Sequence, residues 1–260
     1  MSELGLDRGQ AEVRRLARLG ARLPAGDSPV VGFAGARADA PSLARAEPGG
    51  TDSDGRAGEV GVSLDLGALG GAVGAWPALP REGWASIAAG EGEVGQPRTA
   101  EVVFGPEAKP PPGAVALRAT GELLLPRAWS KAVEPLALSD SEQQAWQLLR
   151  ERLAVLQGVA AIDGGPAPAP IHRFLGYPDE RRGDMPLRCE LHARGLEVDW
   201  TAPQAHPDAG EAAAGCGRWW LLAQLDTDPE LGWAWPRGRR LYLWAAAAEG
   251  PGLAVLGIYR

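Results

Sequence analysis

Val60-Gly-Val-Ser-Leu-Asp-Leu66 and Trp220-Leu-Leu-Ala-Gln-Leu-Asp226 decide how this chain is read. In the first, Val60, Val62, Leu64 and Leu66 alternate at period two, as in a strand with one buried face. In the second, residues 219–225 are strand-like, and both stretches end in Leu-Asp. Val62-Ser-Leu-Asp65 is thus echoed by Ala223-Gln-Leu-Asp226. Trp76-Pro77 follows the first at a distance similar to that of Trp235-Pro236 from the second. An aromatic strand comes next in each case, Trp84 to Ile87 and Leu241 to Trp244. The pattern predicts a duplicated strand–turn–strand unit, two hairpins that pack in related ways.

Working outward, residues 100–104, 114–117, 240–245 and 253–259 are further strands, and Asp226-Thr-Asp-Pro229 is a turn. A turn-rich segment fills residues 67–83. The clearest helix spans 139–158. Ser139 and Glu142 form a capping box, Trp146, Leu149, Leu153 and Leu156 make one face, and Gly158 supplies the stop. Residues 11–23 place Val13, Leu16, Leu19 and Leu23 at helical spacing among arginines. That pattern suits a membrane surface or a targeting segment, or more plainly a helix docked on the domain. Residues 25–58 read as a mobile Gly/Pro/Asp-rich loop, residues 161–170 as a linker, and Pro110-Pro111-Pro112 as a stiff connector. The expected class is α+β: one domain over residues 1–260, dominated by antiparallel strands, with an N-terminal helix and one long capped helix.

Composition excludes several functions. The 26 basic and 33 acidic residues leave a formal charge of −7, against nucleic acid and against an anionic membrane surface. No apolar run reaches the ~18–20 residues of a membrane span, and Met1 to Leu6 carries Glu3 without an apolar stretch, so no secretory leader is expected. Two cysteines, Cys189 and Cys216, suit reduced thiols in a cytoplasm. Six of the ten tryptophans lie between Trp200 and Trp244. Trp146, Trp220 and Trp244 read as core, whereas Trp233 and Trp235 beside a turn are candidates for binding, for instance by stacking on a sugar ring.

Catalytic motifs are lacking. There is no GxSxG elbow, no GxxxxGK[ST] loop and no HExxH or CxxC spacing. A composite metal site from His172, Cys189, His192 and Cys216 has no supporting spacing, so neither metal nor cofactor is expected. Asp226 and Asp228 suit turn formation.

His172-Arg-Phe-Leu-Gly-Tyr-Pro178, Asp184, Leu221-Leu-Ala-Gln-Leu-Asp-Thr-Asp228 and Gly238-Arg-Arg-Leu-Tyr-Leu-Trp244 together resemble the YwqG-like family of bacterial proteins, a domain of unknown function. The resemblance covers residues 139–260. Upstream, Gly61-Val-Ser-Leu-Asp-Leu66 is similar to the family's first Leu-Asp strand. Where relatives have Trp-Gly-Asp, this chain has Trp235-Pro-Arg-Gly238. The resemblance implies a sheet-rich mixed fold and no established activity. The occurrence of some relatives beside toxin genes implies an immunity or partner-binding role.

Two expectations of function follow. The first is a non-enzymatic cytoplasmic protein that binds a basic protein partner, with Trp233, Trp235 and Asp228 as candidate binding residues. The second is an enzyme or small-ligand binder with His172, Asp184 and Asp226 around one cleft. Against the second, His172 and Gln224 also read as buried polar groups paired with backbone.

Overall fold

The computed structural model describes residues 10–23, 30–36, 60–74, 76, 79–89, 97–108, 114–157, 170–179, 185–197, 202–231, 240–248 and 253–259. The chain is α+β, with two antiparallel sheets and five α-helices among these residues. The smaller sheet runs β6-β4-β3-β2-β7, where β2 is Val30–Ala36, β3 Val60–Asp65, β4 Trp84–Ala89, β6 Glu101–Gly105 and β7 Val115–Arg118. The larger runs β5-β12-β11-β10-β9-β1-β8: β1 is Arg18–Leu23, β5 Pro97–Thr99, β8 Thr120–Leu124, β9 His172–Phe174, β10 Trp220–Asp226, β11 Arg240–Ala247 and β12 Leu253–Tyr259.

The predicted repeat is present and larger than a hairpin. β2-β3-β4-β6 and β9-β10-β11-β12 are four-stranded antiparallel arrays in the same spatial order. Aligning Val62 with Ala223 brings the other pairings into step. Ala34, Val62, Ile87 and Val102 form a cross-strand row in one array, and Phe174, Ala223, Leu243 and Gly257 form it in the other. Except for the half-buried Val102, the apolar members of both rows lie in a single buried cluster, so the two sheets share one hydrophobic core. Removing these side chains from water is the main favourable term that joins them.

Helices cover what the sheets leave. α2 (Leu66–Val73) follows β3 directly and is capped by the Asp65 side chain, which accepts from the Ala68 N–H at 3.0 Å. α3 (Asp140–Leu156) has the predicted capping box, and its buried Trp146 donates to the Pro126 carbonyl at 2.8 Å. α4 (Met185–Ala193) sets Met185 and Cys189 against Tyr242, Trp244 and Ile258, and turns Leu191 toward Ala212 of α5 (Ala209–Gly215). Both cysteines are free thiols, and no helix among the described residues is long and apolar enough to cross a membrane.

Four expectations change. The N-terminal helix α1 (Gln10–Leu16) stops at Leu16, and residues 18–23 form β1, because β8 and β9 pair with them from both sides. Hydrogen bonding across the sheet overrides a helical spacing of leucines. The segment read as a loop from 25 to 58 contains β2, an inner strand. A Cβ on Gly32 would lie 2.2 Å from the Ser63 carbonyl oxygen, so glycine there permits close strand approach. The turn-rich stretch after Leu66 begins with α2. Leu156, assigned to the buried face of the long helix, is 82% exposed. The remainder of the 25–58 loop, Pro110–Pro112, Gly158 and all of the linker but Pro170 lie outside the described residues.

Candidate functional site

The outer face of the larger sheet carries a second cross-strand row: Thr120, Arg22, Arg173, Gln224, Tyr242 and Ile258. From Arg173 to Ile258 this face is buried, so its polar side chains must find partners, and the chain supplies them by a turn. After β9, Leu175 and Gly176 take positive φ of 61° and 79° and swing the backbone across the sheet. Residues 177–179 then lie over the row. The Asp179 N–H donates to Gln224 Oε1 at 2.7 Å, and the Tyr242 hydroxyl donates to the Asp179 carbonyl at 3.4 Å. Arg127 holds the Asp179 carboxylate at 2.6 Å. Burial raises the Asp179 pKa, but Arg127, Arg173 and Arg240 outweigh it and hold this group below the ordinary aspartate range.

At the end of the row lie the sequence candidates. The His172 ring is 3% exposed. Its Nδ1 accepts from the Asp226 backbone N–H at 3.2 Å, which places the ring proton on Nε2, the atom 2.9 Å from Asp228 Oδ2. Burial lowers the His172 pKa despite the Asp228 partner, so the ring is held neutral. Asp226 accepts from the Ile171 N–H at 2.9 Å and forms a two-pronged ion pair with Arg240 through Nε and Nη2. Burial lowers the Arg240 pKa, but its hydrogen bonds to Asp226 more than offset this and keep its charge locked on. Asp228 Oδ1 accepts from the Glu230 N–H at 2.9 Å, the turn-forming role expected of it.

His172, Asp226 and Asp228 therefore do converge, while Asp184, Trp233 and Trp235 lie outside the described residues. Convergence does not make a reactive centre here. A general base needs a lone pair facing a substrate, and both His172 nitrogens already serve the fold. The reading of His172 and Gln224 as backbone-paired polar groups fits their hydrogen bonds. Trp146 and Trp244 are core, and Trp220 is half-buried against Trp76. Among the described residues no three His, Cys, Asp or Glu side chains gather as metal ligands would.

Two cavities lie elsewhere. One of about 200 Å³ is apolar and runs along α2 beside Leu69, Val73, Trp76 and Leu175. The other, about 50 Å³, lies between β8, β9 and α3 and is lined by Glu122, Arg150, Arg173, Tyr177 and Asp179 among apolar residues. Sequence reading passed over these charged residues. The available signal was Glu122 and Arg173 inside short strands, where a charged residue facing inward needs a partner.

The fold defines a two-sheet antiparallel α+β protein with a structural polar layer. No protein-family model matches the chain, and no curated protein matches it.

Proposed function

We propose that this chain is a YwqG-like, non-enzymatic cytoplasmic protein that works by binding a basic protein partner. One observation carries the reading: apolar side chains stand in water around the β8 edge. Leu19 and Leu123 face each other across β1 and β8 and are 45% and 38% exposed. Val155 and Leu156, at 65% and 82%, end the helix whose next residue, Gln157, bonds both backbone groups of Leu123. Large apolar side chains grouped at one edge are the usual core of an interface. The Gln157 amide takes both backbone groups of Leu123 at the β8 edge, which obstructs strand addition at that residue and favours side-chain contact. The formal charge of −7 speaks for a basic partner by steering its approach, while the ledge supplies contact energy.

Leu156→Lys combined with Leu123→Lys tests this against Val103→Glu, a change at the edge of the other sheet. A stoichiometric basic protein retained by wild type and Val103→Glu but lost from the ledge variant is the expected result. Dimerisation through the ledge in sedimentation, or a partner retained by both variants, overturns the proposal.

A further inference from the structure

We propose that the cavity between β8, β9 and α3 is a binding site for a small oxyanion, a phosphate or a carboxylate, held by Arg150 and Arg173. This goes beyond partner binding and is argued from Arg150 and Arg173, although Leu123 and Gln157 of the ledge also line the cavity. Arg173 is only 5% exposed, and its Nε is committed to Glu122. Its two terminal nitrogens make no hydrogen bond among the described residues, yet the side chain lines the cavity. Arg150 spends Nε on the Leu125 carbonyl at 3.0 Å and Nη1 on Gln147 at 2.9 Å, with no carboxylate partner among the described residues. Both guanidinium groups thus keep donors for a ligand.

The charge count points the same way. Arg22, Arg127, Arg150 and Arg173 surround this region against Glu122 and Asp179. Of these, Arg150 and Arg173 line the cavity together with Glu122 and Asp179, and Arg22 and Arg127 are ion-paired with the two carboxylates from outside the lining. Burial, with repulsion from Arg127 and Arg173, pushes the Arg150 pKa down to about 10 against the pull of Asp179 and Glu151. A bound anion relieves that repulsion. A cavity of about 50 Å³ exceeds the roughly 10–15 Å³ needed to admit one water, so a small polar group can enter. The forked guanidinium donors match an oxyanion two oxygens at a time.

Calorimetric titration of the full chain with sodium phosphate and with sodium acetate, at constant ionic strength, tests the proposal. Saturable 1:1 binding of one of them is expected, weakened at least tenfold by Arg150→Gln and unchanged by Arg152→Gln on the exposed side of the same helix. The tighter probe assigns the oxyanion class. Should Arg150→Gln fail to fold, the wild-type Arg150 and Arg173 Nε–H resonances provide the readout, and both must shift with the same saturation curve. Non-saturating heat, equal binding by Arg150→Gln, or shifts absent from these two resonances would overturn the site.

Discussion

The two four-stranded arrays begin from the same plan and end differently on one face. Their inner rows are alike and apolar. Their outer rows are not. Phe33, Ser63, Ser86 and Val103 are half-buried or exposed in the smaller sheet, whereas Arg173, Gln224, Tyr242 and Ile258 are buried in the larger. The serines need only each other, at 3.2 Å. The buried row needs a purpose-made cover of residues 175–179 and α4. The same contrast separates the two Leu-Asp ends: Asp65 caps a helix, while Asp226 joins β10 to β11 through Arg240 and holds Ile171 in place. A repeated strand pattern thus specifies the shared core, and burial of the second face sets the polar chemistry.

The largest test of that contrast sets Asp226→Ala beside Asp65→Ala. Removing one partner of a largely buried ion pair costs about 3 kcal/mol, while loss of a helix cap costs about 1 kcal/mol. Urea unfolding should show the first midpoint falling well below the second; equal losses would mean the Arg240 pair adds nothing beyond a cap.

Next comes Gln224→Ala against Ser63→Ala. The first leaves the buried Asp179 N–H without an acceptor, at about 2 kcal/mol, whereas the second breaks a half-buried hydroxyl pair worth about 0.5 kcal/mol. Amide exchange at Asp179 should accelerate only in the first variant. Similar unfolding free energies in the two would remove the distinction between covered and open rows.

The smallest effect is pH dependence. His172 aligns with Gly32 of the first array, which cannot titrate. The folded pKa of His172 lies below its ordinary 6.5, so the unfolded chain takes up the proton first. Its stabilising contribution is complete above pH 6.5, declines as the pH drops toward the folded value, and is flat below it. Asp179, whose pKa is also lowered, loses its contribution only below about pH 4. In His172→Asn the upper slope should vanish and the lower one remain; a wild-type slope persisting near pH 6 would sink this assignment.

Much was legible before any coordinates. Alternation in residues 60–64, the capping box at Ser139 and Glu142, and the echo between Val62–Asp65 and Ala223–Asp226 are local patterns, and local patterns survive folding when the tertiary surroundings agree with them. They established an antiparallel α+β chain with a repeat and drew attention to Asp226, whereas His172 was marked by the family resemblance and Asp228 by the turn. Residues 18–23 and 30–36 were illegible for the opposite reason. One carried a helical spacing and the other glycines, and only strands brought from far along the chain made both extended.

Tertiary structure alone decided what the polar residues do. Whether an imidazole has a free nitrogen, whether an arginine inside a strand has a carboxylate beside it, and which leucine stays wet depend on neighbours more than fifty residues away in sequence, such as Asp226 for His172 and Glu122 for Arg173. Sequence periodicity reports which side of an element is apolar; it holds no information about which distant donor meets which acceptor, because that pairing exists only after the sheets have closed on their common core.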